Sequence, residues 1–177
     1  MSSNEISLVL TAIGDDRPGL VETLSTAISR HQGNWLESSM SHLAGKFAGI
    51  VSIRLPAEQL DPLKQTLAGL NGLRVVAEDS TATVGEKGNR RLKLSLVGHD
   101  RIGIVREVSQ VLARHAINVE ALSTHTASAP MSAEILFHAT AELTASPQLD
   151  SRTLTSELEQ LSNDLMVDIT LDETIRS

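Results

Sequence analysis

The sequence contains no cysteine and no tyrosine, and it has only one tryptophan and two phenylalanines. Without cysteine, the chain has no disulfide framework, no CxxC redox site and no thiolate metal site. Because aromatic residues amount to 2%, no platform for stacking the bases of a single-stranded nucleic acid can be assembled. A run of about 18 apolar residues, which a transmembrane helix needs, is also missing. These absences exclude several classes of protein and leave a small globular one.

Positive charge is scarce as well. Fifteen Lys and Arg against 22 Asp and Glu give a formal net charge of −7, and the one basic cluster spans only residues 87–93. Nucleic acid binding usually requires many basic side chains that contact phosphates, so we expect none here. The N-terminus lacks the basic and apolar regions of a secretory signal. We therefore expect a cytoplasmic protein without membrane contact.

An internal repeat is the strongest positive feature. At an offset of 84 residues, the segment GDDRPGLV (14–21) aligns with GHDRIGIV (98–105), and 12 of the 32 positions from Leu8 to Ser39 are identical in the second copy. Self-similarity of this kind indicates a duplicated structural unit. We expect module 1 at residues 5–84, module 2 at residues 90–174, and a polar, glycine-bearing linker at 85–89.

Hydrophobic periodicity predicts the order βαββαβ in each copy. Apolar residues alternate before each turn and then follow helical spacing. The hairpins are predicted at 34–43 with 46–55, and at 118–127 with 131–141. This order is typical of an α+β fold made of two ferredoxin-like modules, each a four-stranded antiparallel sheet with two helices on one face. Because sheet edges are usually covered or paired, we also expect the two modules to contact each other.

The two turns carry a resemblance to a known family. GDDRPGLV and GHDRIGIV, each followed about 15 residues later by an Asn that opens a strand, resemble the ACT domain. Two ACT domains without a catalytic or DNA-binding domain are similar to the glycine cleavage system transcriptional repressor family. Formyltetrahydrofolate deformylases carry a similar ACT domain, followed by a catalytic domain that this sequence does not contain. The resemblance implies binding of a small amino acid, with glycine as one candidate, where ACT modules meet. It also implies repression through a DNA-binding activator protein, and it is compatible with a homodimer.

The chemistry of the turns supports a ligand site. Free N–H groups at a helix start attract a carboxylate, a glycine lets a ligand approach the backbone, and nearby Asp and Asn side chains offer partners for an ammonium group. The turn differs from ACT domains that place an Asn there, so the site is either altered or lost. The candidate ligand-binding residues are Asp15, Asp16, Arg17, Gly19, Leu20 and Asn34 in the first copy, and His99, Asp100, Arg101, Gly103, Ile104 and Asn118 in the second.

Other roles for these residues remain open. Asp16 and Asp100 are well placed to cap the following helix, which is the simpler interpretation. The two arginines either hold a carboxylate or form a local ion pair at the surface. Histidine and serine spacing shows no metal motif and no activated nucleophile, so we expect no metal, no cofactor and no catalysis. The sequence therefore favours a non-catalytic, amino-acid-responsive regulator. The alternative is a regulatory subunit or sensor for an enzyme of amino-acid or one-carbon metabolism.

Overall fold

Each half of the chain folds into the same series of elements, βαββαβ. The computed structural model describes residues 4–80 and 90–174, and the chain divides into two units, residues 1–83 and 84–177, which we call module 1 and module 2. The linker predicted at 85–89 lies outside the described residues. Every helix in the described part is too short or too polar to cross a lipid bilayer.

Module 1 is a four-stranded antiparallel sheet with the strand order β2-β3-β1-β4. A short 3-10 turn, Ala57–Gln59, precedes its second helix. The elements are β1 (Glu5–Asp15), α1 (Leu20–Arg30), β2 (Asn34–Leu43), β3 (Lys46–Pro56), α2 (Leu60–Ala68) and β4 (Leu73–Asp79).

Module 2 repeats this sheet with the order β6-β7-β5-β8, so the predicted fold class is confirmed. The hairpin of module 2 differs from the prediction, because β7 begins at residue 135 and not at 131. The backbone N–H of Ala129 donates to the carbonyl of Glu134 (2.9 Å) and closes a longer turn. The elements are β5 (Arg90–His99), α3 (Ile104–Arg114), β6 (Asn118–Ser128), β7 (Ile135–Ala145), α4 (Ser151–Leu165) and β8 (Val167–Thr174).

Each module has its own apolar core between the sheet and its helices. In β1 the alternating residues Leu8, Leu10 and Ala12 are fully buried, and they pack with the apolar stripe of α1, which includes Leu24 and Ile28. Burying one such leucine contributes about 2 kcal/mol. Because β1 and α1 are both held by this core, the turn that joins them has a fixed position at one end of the sheet.

The two cores are filled differently next to the edge strand. In module 1 the side chains of Trp35 and Met40 on β2 pack against the core. Val119 and Thr124 occupy the equivalent positions in module 2. The strand register shows this, because Trp35 pairs with the core residue Ile53 of β3 and Val119 pairs with the core residue Leu143 of β7. An apolar pocket of about 40 Å³ lies beneath α3, with Val119 among its lining residues.

Candidate ligand-binding site

Three loops meet at one end of the module 1 sheet. The β1–α1 turn (16–19) contacts the hairpin turn of β2 and β3, where the N–H of Asp16 donates to the carbonyl of Gly45 (2.9 Å). It also contacts the α2–β4 turn, where Arg17 Nη2 donates to the carbonyl of Asn71 (2.8 Å). The duplicated turn is thus attached on both sides, and its arginine is held by a backbone carbonyl.

Helix α1 begins without a side-chain cap. Gly19 is the N-cap residue, with φ 90° and ψ 1° in the left-handed region, which costs an L-residue about 1–2 kcal/mol. Its carbonyl accepts hydrogen bonds from the N–H and the hydroxyl of Thr23, both at 2.9 Å. A Cβ at residue 19 would meet nothing within 4 Å. The backbone at the helix start is therefore open to approach.

The capping role predicted for Asp16 and Asp100 is wrong. The N-cap positions are Gly19 and Gly103, and neither helix start has a side-chain cap. Two further residues separate each aspartate from its N-cap glycine, so the carboxylate is too far back along the chain to reach the first free N–H groups. Asp16 Oδ2 instead lies 3.3 Å from His42 Nδ1 on the hairpin.

The acidic residues of the turn are paired with the hairpin. Asp15 forms a hydrogen-bonded ion pair with Lys46, and the hydrogen bond from this ammonium lowers the pKa of the Asp15 carboxyl. The two aspartates therefore face cationic or imidazole partners. Neither is among the described residues that line the cavity at the helix start.

An open cavity of about 550 Å³ lies over the first turns of α1 and reaches towards α2. At the start of α1 the cavity is lined by the guanidinium of Arg17, the backbone of Gly19 and the carboxylate of Glu22. The first helical residue, Leu20, has a buried side chain, so only its backbone can contribute. The lining residues are Arg17, Pro18, Gly19, Leu20, Glu22, Thr23, Thr26, Ala27, Arg30, Thr66 and Leu70.

Arg17 keeps its position because the residue beneath it is glycine. Gly72 has φ +80°, and a Cβ there would lie 2.3 Å from Arg17 Nη2, far inside van der Waals contact. The guanidinium therefore packs directly on the Gly72 backbone while it donates to Asn71. No pattern in the sequence pairs residues 17 and 72, and only the α2–β4 turn brings them together.

Module 2 arranges the same turn differently. Gly103 is again a left-handed N-cap (φ 96°), and the N–H of Asp100 donates to the carbonyl of Ile135 (3.0 Å). Arg101, however, donates to Glu107 Oε1 on α3 (2.9 Å). This carboxylate oxygen would lie 3.4 Å from a Cβ at residue 103, so it sits beside the helix start.

The remaining candidates of module 2 contribute little polar chemistry to the turn. His99 Nδ1 lies 3.8 Å from Glu134 Oε2, and both side chains are more than half exposed. The side chain of Ile104 is buried in the core, so that only its backbone N–H faces the turn. Among the described residues, no three His, Asp or Glu side chains gather in a way that could hold a metal ion.

The prediction that Asn34 and Asn118 lie near these turns is wrong. Asn34 pairs with Arg54, which pairs in turn with Ser7, eight residues along β1 from Asp15. At about 3.3 Å per residue this separation is about 26 Å. Because α1 runs antiparallel to β1, β2 starts at the end of the sheet opposite to the turn. The side chain of Asn118 donates to Glu120 within its own strand (2.6 Å).

Comparison with known proteins gives the same picture of the fold. A family model of the ACT domain matches residues 7–73. A crystal structure of an unknown protein from Galdieria sulphuraria is 28% identical, covers 97% of this chain and 100% of its own, and superposes with a TM-score of 0.86. A candidate glycine cleavage system transcriptional repressor is 20% identical, covers 98% and 100%, and has a TM-score of 0.75. No curated protein sequence matches the chain.

Proposed function

We propose that the chain is a tandem ACT-domain protein, in keeping with the family match over module 1 and the fold shared by both modules, and that it is a non-catalytic regulator that responds to a small amino acid. The observation that carries the proposal is the cavity of about 550 Å³ at the start of α1. It combines the groups that a zwitterion requires. The ligand-binding residues of this proposal are Arg17, Gly19 and Leu20 of the predicted set, joined by Glu22 and Thr23.

The two charges of an amino acid have separate partners in this cavity. Its carboxylate is attracted by the N–H groups of the first turn of α1 and by the positive end of the helix dipole. Arg17 has five N–H donors, and its bond to Asn71 uses Nη2, so other donors can serve a carboxylate. Glu22 can accept from the ammonium group. Glycine is our first candidate because it has no side chain and so requires no side-chain pocket beside the groups that bind its two charges.

Catalysis finds no support at this place. The described residues that line the cavity include no His, Cys or Ser. The hydroxyl of Thr23 already donates to Gly19. The hydroxyl of Thr66 lies 2.8 Å from His31 Nε2, but His31 Nδ1 lies 3.1 Å from the uncharged Gln59, where a catalytic triad places a carboxylate. The arrangement therefore favours binding without chemistry.

For the output of the regulator, we propose repression of the glycine cleavage system through contact with a DNA-binding activator in the cytoplasm. The likeness in fold to a candidate repressor of that system supports this choice. The net charge of −7 disfavours direct contact with DNA, which is a polyanion. The second candidate is a regulatory subunit or sensor of an amino-acid or one-carbon enzyme, in either case as a monomer or a homodimer.

The ligand part of the proposal is tested by isothermal titration calorimetry against the twenty amino acids, with glycine first. We expect saturable heat from a small amino acid and at least a tenfold loss of affinity in Arg17→Gln. The matched control is Arg74→Gln, which removes an exposed arginine of β4 outside the cavity. Gly19→Val and Gly103→Val test obstruction of each turn, with melting curves to separate lost binding from lost folding. Absence of heat with all twenty amino acids would contradict the proposal.

The output part is tested by a gel-shift titration with promoter DNA of the glycine-cleavage genes, with and without a purified activator. We expect the protein to change the mobility of the activator–DNA complex and to leave free DNA unshifted. Sequence-specific, submicromolar binding of DNA by the protein alone would overturn the contact mechanism. If the protein instead binds and modulates a metabolic enzyme, the second candidate function is favoured.

A further inference from the structure

The residue before the last strand of each module determines where the turn arginine can lie. Register makes Gly72 and Met166 equivalent, because each precedes a strand whose first residue pairs with the same glycine of the repeat, Gly14 in β1 or Gly98 in β5. Both have positive φ, +80° and 52°. A Cβ at Gly72 would collide with the Arg17 guanidinium. Met166 carries a Cβ, so Arg101 cannot take the equivalent path.

Arg101 turns instead to a carboxylate on its own helix. Its Nη2 donates to Glu107 Oε1 at 2.9 Å, and the Glu107 side chain is only 29% exposed. The equivalent residue in module 1 is Thr23, whose short hydroxyl is bonded to the carbonyl of Gly19. In module 2 the first-turn carboxylate therefore lies beside the helix start and is bonded to the turn arginine. In module 1 the first-turn carboxylate, Glu22, lines the open cavity, and nothing lies within 4 Å of a Cβ at residue 19.

We infer that Glu107 supplies module 2 with an internal carboxylate at the place where module 1 receives the carboxylate of a ligand, so that each chain binds one carboxylate ligand, at module 1. This inference rests on the proposed function for the identity of the ligand as an amino acid. The arginine–carboxylate pair in module 2 is the independent observation that this turn holds a carboxylate. A second anion beside Glu107 would meet repulsion from its carboxylate and an arginine whose positive charge that carboxylate already neutralises.

Acetate, the simplest carboxylate probe, tests the asymmetry without assuming an amino acid. In ¹H–¹⁵N NMR spectra of the full chain, we expect acetate to shift the amides of Leu20 and Val21 and to leave those of Ile104 and Val105 unmoved. Equal shifts at both helix starts, shifts at α3 alone, or no shift at α1 would each overturn the inference.

Exchanging the two equivalent residues sharpens the test. Thr23→Glu should reduce the response of α1 to acetate at least tenfold, whereas Thr23→Gln, which has nearly the same size without the charge, should keep most of it. Glu107→Thr should make the α3 amides respond. Glu107→Gln removes only the charge and serves if the first variant fails to fold, as judged by its melting curve. An unchanged response in Thr23→Glu would overturn the inference.

Calorimetry with glycine and the other amino acids separates this inference from the proposed function. One equivalent bound per chain, lost in Thr23→Glu, supports both. Two equivalents per chain would overturn the inference and leave the proposed function standing. If acetate shows the asymmetry and no amino acid gives heat, the proposed function fails, and the single carboxylate site remains.

Discussion

Module 1 and module 2 bring the same arginine to the same turn and use it in different ways. Arg17 reaches across to the carbonyl of Asn71 on a neighbouring loop, while Arg101 folds back onto Glu107 of its own helix. The turns themselves are alike, since both helices start at a left-handed glycine. Two exchanges accompany the difference: Gly72 against Met166, far away in sequence, and Thr23 against Glu107 in the first turn of the helix. Divergence at a supporting position and at one site residue can thus change how a retained arginine is used.

The two modules also tie their helices together by different chemistry. At the end of α1, His31 contacts Gln59 (3.1 Å) and Thr66 (2.8 Å), which are both uncharged. At the end of α3, Arg114 and the partly buried His115 lie 2.9 and 3.2 Å from the two carboxylate oxygens of Glu157. The helix junction of module 2 therefore contains ionised groups where that of module 1 contains uncharged partners.

Strand ends show the same contrast. Arg90, which opens β5, forms a two-point ion pair with Glu173 of β8 (2.8 and 3.0 Å) and also donates to Leu149 and Ser151. Ile6 stands at the equivalent position in module 1 and packs against the apolar core. The same junction of strands is held by apolar contact in one copy and by charge in the other.

The largest effect is expected from the packing difference at the edge strand. We expect Trp35→Val, which gives module 1 the residue of module 2, to lower the free energy of unfolding by about 2–3 kcal/mol through lost burial and an incompletely closed cavity. Chemical denaturation followed by far-UV circular dichroism measures it, since the chain has no other tryptophan. The control, Val119→Ala, should cost clearly less, because Val119 is 40% exposed. A larger loss in the control would break the comparison.

Gly72→Met, which copies Met166 into module 1, should have the next largest effect. A methionine at this position must adopt a left-handed backbone conformation, and its Cβ would collide with the Arg17 guanidinium. We therefore expect the free energy of unfolding to fall by about 1–2 kcal/mol. Thermal unfolding measures the loss, and the NMR signal of the Arg17 Nε–H group reports its displacement. The reverse change, Met166→Gly, relieves left-handed strain and should leave module 2 equally or more stable. A Gly72→Met variant as stable as the parent would contradict this account.

These comparisons also show how far sequence reasoning could reach. The repeat and its periodicity predicted both sheets and all four helices, because core positions such as Leu8, Leu10 and Leu24 recur at fixed spacing. The position of Asn34 was predicted wrongly, since the length of α1 determines at which end of the sheet β2 begins. Contacts between distant residues, such as Arg17 with Gly72, leave no local pattern. The one usable signal was the difference between aligned copies, Thr against Glu at residues 23 and 107.

Acidification should destabilise module 2 before module 1. Module 1 has one carboxyl in its described residues whose pKa is clearly lowered, the exposed Asp15 beside Lys46. Module 2 has more: hydrogen bonds from Arg90 lower the pKa of Glu173, and hydrogen bonds from Arg114 and then His115 lower that of Glu157. A carboxylate with a lowered folded pKa stabilises the protein above its unfolded pKa, and this contribution is lost as pH falls through the folded pKa. We therefore expect the amides of module 2 to lose protection from hydrogen exchange before those of module 1 as the pH falls below about 4.

The variant Glu173→Gln tests the sign of this effect. It should be less stable than the parent at pH 7, and the difference should shrink as the parent carboxyl becomes protonated in acid. Asp172→Asn, on the same strand, controls for the removal of one negative charge. A stability difference for Glu173→Gln that grows as pH falls would contradict the assignment.

The smallest effect is expected from filling the pocket of module 2. Ala141 on β7 is buried and lines the pocket of about 40 Å³, and it pairs with Leu94 as Val51 pairs with Leu10. Module 1 thus already accommodates a valine at this position. We expect Ala141→Val to raise the free energy of unfolding by about 0.5–1 kcal/mol, within the usual range for cavity filling. The matched change Val51→Ala should cost about 2 kcal/mol, since it removes buried methyl groups and opens a cavity. Denaturant midpoints of the two variants measure both effects. Destabilisation by Ala141→Val would mean that the pocket closes around its present side chains and that added methyl groups overpack it.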